Sequence, residues 1–292
     1  MRIRVTLLAG FLGLFGVTWA VAQPSITNGQ LQPRAATAAI EREIQTLASQ
    51  LAEPAWVGYA VPARPGDHQM CCWNGDSGYS GCCTGCRLEP GVASAVTTMR
   101  QERPTLLEAG DSFFVLYRIE NRQVVRIRMF SEPCPLDAGG RTLHWLTGVR
   151  EEDSIAFLTT FLGSSSTNRL ADSALSAIAM HRHQNALERL LAAAKDGATT
   201  HVRGQALFWL AQRAGEQAVG AISNAIANDP ETEVKRRAVF ALSQLPRSEG
   251  VPLLIQVART NTNPAVRKQA MFWLGQSRDP RALQFFQEIL FK

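Results

Sequence analysis

The chain has 292 residues, of which 46% are hydrophobic and 19% charged. This is the balance of a folded protein with substantial cores, and it excludes a disordered or fibrous chain. The formal charge of +5 is unevenly spread: residues 23–163 hold 12 basic and 15 acidic side chains, and residues 164–292 hold 16 and 10. A basic C-terminal half in an exported chain points to an acidic protein or anionic surface as partner, not to nucleic acid.

Export is read from the first residues, MRIRVTLLAGFLGLFGVTWAVAQ. Arg2 and Arg4 precede an almost wholly apolar run from Val5 to Val21, and Ala20-Val21-Ala22 supplies the small residues of a cleavage site. Residues 1–22 are therefore expected to be a secretory signal peptide, with Gln23 the first mature residue. No later segment approaches spanning length, so no stable membrane insertion is expected after cleavage. The expected location is periplasmic or secreted.

Residues 23–150 have the makings of a small α+β domain. Ile40, Ile44, Leu47 and Leu51 predict a helix over Ala35 to Leu51, and Ala55 to Val61 a strand. Phe113–Ile119 and Gln123–Phe130 predict a hairpin turning at Glu120-Asn121, and Arg141–Val149 a further strand. Val125, Ile127 and Met129 alternate with Val124, Arg126 and Arg128, the pattern of a sheet with one wet face.

Between these elements lies CCWNGDSGYSGCCTGC, residues 71 to 86, with five of the six cysteines. In an oxidising compartment an even number of cysteines in a Gly-rich loop favours disulfide staples. The candidates are Cys71, Cys72, Cys82, Cys83, Cys86 and Cys134, the last tying the loop to the end of the hairpin; connectivity is not fixed by sequence. The alternative is a metal-binding or enzymatic module centred on His68–Cys86, because His68, Cys71, Cys83 and Cys86 have zinc-ligand spacing. Nothing resembling a thioredoxin unit surrounds Cys83 and Cys86. Gly75-Asp76-Ser77-Gly78 is similar to a protease nucleophile loop, but Tyr79 breaks the pattern and the region is too short for two barrels.

A helix over Asp153–Leu162, within a linker at 151–163, is expected to cap the helical stack beyond it. Residues 164–292 repeat at a fixed interval of 32 residues: LADSALSAIA from Leu170, VRGQALFWLA from Val202, VKRRAVFALS from Val234 and VRKQAMFWLG from Val266. Ala174, Ala206, Ala238 and Ala270 share one column; Ile178, Leu210, Leu242 and Leu274 share another. Spacing of four and eight from the first residue marks one helix face, and the repeated Ala marks close approach of a neighbouring backbone. A second set of columns comes after each short break, with Leu190, Ile222, Leu254 and Phe286 in register. Asp229-Pro230, Pro246, Asn263-Pro264 and Asp279-Pro280 punctuate the units. Four helix pairs that cannot bury their apolar faces alone must stack into a solenoid.

The pattern of hydrophobe, Arg or Lys, two variable residues, Ala, hydrophobe, two variable residues and Leu resembles the short bacterial HEAT repeats, the phycobilisome-lyase-like kind. Its bearers are Val202-Arg203 with Ala206 and Leu210, Val234-Lys235 with Ala238 and Leu242, and Val266-Arg267 with Ala270 and Leu274. The resemblance covers roughly residues 165–292 and implies an all-α HEAT-like superhelical solenoid with a role in protein–protein interaction. Together with the elements read before it, the expected fold class is an α+β N-terminal domain followed by that solenoid. It implies no chemistry: the His-Glu pairs of HEAT-like hydroxylases are missing, and lyase activity does not follow from a repeat. His181 and His183 fall in an inter-helix turn, where solvated side chains are expected.

Phe208, Phe240 and Phe272 form a further column about 160° around the helix from Leu210, Leu242 and Leu274. They are either packed between repeats or a partner-binding ladder; Trp209 and Trp273 fall on the core side. Arg203, Lys235 and Arg267 form a basic column, whose ordinary role is to bond turns and whose functional role would be to meet an acidic partner. No catalytic residue, metal site or cofactor is assigned. The expected protein is a non-enzymatic interaction module or scaffold in the cell envelope.

Overall fold

A computed structural model describes residues 23–65, 86–89, 111–132, 134–213 and 215–291. The leader, His68, and Cys71, Cys72, Cys82 and Cys83 lie outside the described residues.

The first part is α+β. Strands β1 (Ile26–Thr27) and β2 (Gln30–Ala35) lead into α1 (Ile40–Gln50) and β3 (Ala55–Pro62). Then come β4 (Cys86–Arg87), the hairpin β5 (Ser112–Glu120) and β6 (Gln123–Ser131), β7 (Leu136–Asp137) and β8 (Thr142–Thr147). Helix α1 starts five residues later than its apolar spacing suggested. The Glu43 carboxylate accepts hydrogen bonds from Thr37 N (2.7 Å), Thr37 Oγ1 (2.9 Å) and Ala38 N (3.0 Å), which holds the lead-in outside the helix. Ala35 instead ends β2, an edge strand of mostly exposed residues that tolerates Pro33.

The main sheet has the order β2-β8-β3-β5-β6, parallel on the β2 side of β3 and antiparallel beyond it. The β5–β6 turn falls on Asn121 and Arg122, with φ of 50° and 63°. Two consecutive left-handed residues give a turn whose twist matches its strands. Val57, Tyr59, Phe113, Val115 and Tyr117 pack beneath the helices, while Trp56, Phe114, Leu116, Leu143 and Trp145 fill a second core on the other face. The expectation of one wet face is therefore wrong for the central strands. A small parallel sheet of order β1-β7-β4 covers that face, built of two-residue strands too short to show any periodicity.

The second part is all helix. After α2 (Glu151–Thr160) come four pairs: α3 (Asn168–Met180) with α4 (Gln184–Asp196), α5 (Thr200–Arg213) with α6 (Glu216–Asn228), α7 (Thr232–Ser243) with α8 (Arg247–Thr260), and α9 (Pro264–Ser277) with α10 (Pro280–Leu290). Thr167, Asn263 and Asp279 cap helix starts through their side chains, and Pro264 and Pro280 open the last two helices, where a missing N–H costs nothing. Ala174, Ala206, Ala238 and Ala270 are all fully buried, as are Val234 and Val266. The first helices of successive pairs, α3, α5, α7 and α9, lie close together, whereas the second helices are splayed, so the stack curves with its first helices inside. On α10 the core columns run out: Leu283 and Leu290 are 61% and 75% exposed.

The two parts are joined by backbone as well as side chains. Arg64 N donates to Met180 O (2.9 Å), and Ala63 bridges His181 in antiparallel fashion. Helix α2 packs on α1, β3, α3 and α4, closing the near end of the stack.

Candidate functional site

The inner face of the curve is built from one stripe on each first helix. Positions separated by three, four and seven residues share a helix face, so Gln205, Phe208 and Gln212 line up on α5; Arg237 and Phe240 on α7, continued by Gln244 at its C-cap; and Gln269, Phe272 and Gln276 on α9. Since the units are in strict register, these stripes form rows across the helices.

The phenylalanine row is neither wholly packed away nor wholly exposed. Phe208 and Phe240 are half-buried and stack with ring centres 5.9 Å apart and planes at 4°. Phe240 then meets Trp273 at 5.0 Å, and Trp273 meets Phe272 edge-on at 5.0 Å. Phe272 is 53% exposed. Trp209 is buried, whereas Trp273 is only half-buried and continues the aromatic run. A groove of about 330 Å³ opens beside the rings, bounded by Gln205, Phe208, Arg236, Phe240, Gln269 and Trp273. Gly204 gives it depth on one side: a Cβ there would meet Cδ of Arg237, whose stem lies over the glycine.

The basic column is occupied within the chain. Arg203 grips Asp229 with Nε and Nη2 (2.9 and 3.2 Å) and also donates to Gly197 O. Lys235 Nζ donates to Ala227 O (3.0 Å), and Arg267 donates to Asn261 O and Thr262 O (2.8 and 3.1 Å). Each reaches carbonyls at the end of a second helix, groups that have no partner within the helix itself. These three residues clamp the turns. The basic side chains at the groove are instead Arg236 and Arg237, both bonded to Glu233.

A second polar feature lies at the junction of the two parts. His181 is not solvated, as its turn position suggested, but fully buried. Its Nδ1 lies 2.7 Å from Ala177 O and its Nε2 2.8 Å from Ser154 Oγ; Ser154 meets Tyr59 OH at 2.7 Å, and Tyr59 meets Tyr117 OH at 2.8 Å. A carbonyl only accepts, so Nδ1 carries the proton and Nε2 accepts from Ser154. Tyr59 then donates to Ser154 and Tyr117 to Tyr59. Burial pushes the His181 pKa down to about 4, with Arg213 and His183 adding to the shift. Phe113 packs edge-on against the enclosed ring at 5.1 Å. The network is a structural rivet without access for substrate. His183 keeps partial exposure, caps α4 through Nδ1 and lies 3.1 Å from Glu152.

Cys86 and Cys134 form a disulfide with Cα atoms 6.0 Å apart, joining β4 to the chain beyond β6 under the second core. Zinc ligation through His68, Cys71 and Cys83 concerns positions outside the described residues. Among the described residues no group of three or more metal-ligand side chains converges, and no helix is long and apolar enough to cross a membrane.

The closely stacked, register-locked helix pairs define the C-terminal part as a HEAT-repeat solenoid. Residues 219–291 match the family of HEAT repeats. Among solved structures, the chain is similar to the complex of CpcE and CpcF of phycocyanin lyase from Nostoc sp. PCC7120, at 18% identity and a TM-score of 0.38 over 49% of this chain and 91% of that one. It is also similar to human deoxyhypusine hydroxylase in complex with glycerol, at 22% identity and a TM-score of 0.35 over 44% of each chain. No curated protein matches the sequence.

Proposed function

We propose that this chain is an exported, non-enzymatic scaffold that holds a partner protein on the inner face of its HEAT solenoid. The observation that carries the proposal is the aromatic run Phe208, Phe240, Trp273 and Phe272, which crosses three repeats and ends in an exposed ring. Clustered aromatics beside Arg are frequent anchors of interfaces. The basic leader and small-residue cleavage site support export, and Arg236 and Arg237 at the groove support an acidic partner. The α+β domain, riveted to the first repeat, fixes the orientation of that face.

The test is site-specific crosslinking in the source organism's envelope. A photoreactive benzoylphenylalanine in place of Phe272 should give a discrete adduct, while the same group replacing Gln256, exposed on α8 away from the inner face, should not. Phe272→Ser in the full chain should abolish capture without changing the melting temperature. Equal adducts from both positions, or none from 272, would remove the inner face from consideration. The recovered mature chain should begin at Gln23.

A further inference from the structure

The phenylalanine row is flanked by amides in a pattern that a generic binding surface does not require. On one side, Gln212, Gln244 and Gln276 occupy the same position in three successive repeats; on the other, Gln205 and Gln269 flank Arg237. Gln212 and Gln244 are half-buried and Gln276 is exposed, all near the C-terminal ends of their helices, beyond the rings. The amides are only partly engaged. Gln205 donates through Nε2 to Asp172 (3.0 Å) and Gln244 through Nε2 to Ser243 (3.0 Å), which leaves both carbonyl oxygens without a donor from those bonds.

A side-chain amide offers one acceptor and two donors, the complement of a peptide unit's N–H and C=O. Packed helices lie about 8–10 Å apart, and an extended chain advances about 3.3 Å per residue. A segment in the extended polyproline-II form rises about 3.1 Å per residue with about three residues per turn and makes no internal hydrogen bonds. It therefore turns the same main-chain edge to one amide about every third residue, with a ring of the phenylalanine row beneath the residues between. No helix or folded loop presents main-chain groups at that interval along a straight line, because its own backbone bonds are already made. The charge at the groove selects further: Arg236 and Arg237 face it against the single carboxylate of Glu233.

We propose that the partner enters this face as an extended, acidic polypeptide segment, its main chain bonded by the Gln212–Gln244–Gln276 row and its apolar side chains resting on Phe208, Phe240 and Phe272. The inference rests on the inner-face reading of function and specifies the form of the partner. Selectivity then comes from the charged rim and the rings, while the amides accept any sequence that can be drawn out straight.

The probe is a library of random twelve-residue linear peptides panned against the full chain. Enriched peptides should be rich in Asp or Glu and apolar residues and lack helix-forming runs. Their affinity should fall at least tenfold with Gln212→Ala, Gln244→Ala and Gln276→Ala combined, in a protein whose circular dichroism is unchanged. N-methylation scanned along one such peptide should weaken binding tenfold at positions three residues apart and little between them, a readout that only main-chain bonding produces. Failure to enrich any peptide would overturn the proposal and leave the crosslinking test of the inner face standing. So would peptides that lose binding with Phe240→Ser but not with the triple glutamine variant. Peptides indifferent to both variants would sink this proposal and the inner-face reading together.

Discussion

Ser154 Oγ lies 2.8 Å from His181 Nε2, and through that contact two tyrosines of the sheet are wired to the end of the first repeat helix. The chain of hydrogen bonds has one direction and its acceptors are matched to its donors, so it holds only while the imidazole is neutral. Protonation would put a second donor opposite a hydroxyl that is itself donating, in a site closed to solvent.

Stability should therefore depend on pH in a defined window. His181 titrates near pH 4 in the folded protein and near its ordinary 6.5 when unfolded. Between those values only the unfolded chain takes the proton, so stability is complete above about pH 6.5 and falls by up to ~3 kcal/mol as pH drops towards 4. Glu43 and Glu89, whose pKa values are lowered by their hydrogen bonds, contribute losses only further into acid. Urea midpoints at pH 7.5, 5.5 and 4.5 should show this slope, and His181→Gln should flatten it even if the variant is weaker overall. Equal slopes for both proteins would refute the assignment.

The alanine column sets the spacing of the inner helices. Ala238 is fully buried where α7 meets its neighbours, so Ala238→Leu should overpack the seam and cost ~1–3 kcal/mol. Thermal melting followed at 222 nm measures it. An unchanged midpoint would mean that the column does not face the adjacent helix.

Arg203 and Asp229 are nearly enclosed, with side chains 14% and 5% exposed. Removing the carboxylate alone strands a buried guanidinium, and Asp229→Ala should cost ~3 kcal/mol. Adding Arg203→Met should recover part of that loss, because the apolar stem fills the same space without the charge. A double variant weaker than the sum of the singles would show that the pair is not what clamps this turn.

The disulfide closes a sequence separation of 48 residues. Chain entropy alone gives such a link ~4 kcal/mol, and its effect should be local to the α+β part. Cys86→Ala with Cys134→Ala should lower the transition seen by near-ultraviolet signals of Trp56 and Trp145, which sit in the core the disulfide closes. The helical signal of the repeats should melt near its original temperature. Loss of both signals together would mean that the parts unfold as one unit.

The solenoid was legible because identical spacing, four times over, leaves helix face and helix partner little freedom. Ala238 could be placed in a seam from its column alone. The apolar stretches AWVGYAV of β3 and FFVLY of β5 suit strands buried on both sides, but the alternation of β6 pointed to a wet face instead. His181 was not legible. Its burial comes from the end of β3 lying across the α3–α4 turn, where Ala63 meets a residue 118 positions away, and no local pattern encodes it. The rows on the inner face were half legible: the phenylalanines stood out by chemistry, while their degree of exposure depended on ring stacking between helices. The basic column was ambiguous in sequence, because Arg and Lys at a helix start look the same whether they face a partner or a neighbouring carbonyl; the structure has them in the turn-bonding role.

The constant interval of 32 residues has a consequence for how such a molecule changes over generations. Excising residues 200–231 would join Thr199 to Thr232, set Val234, Ala238 and Leu242 against the columns left by Val202, Ala206 and Leu210, and shorten the inner face by one rung. Duplicating the same segment would lengthen it by one. Any other step would throw every buried column out of phase at once. The reach of this protein is thus a digital quantity, adjustable by in-frame gain or loss of whole units while the α+β anchor at its near end stays as it is.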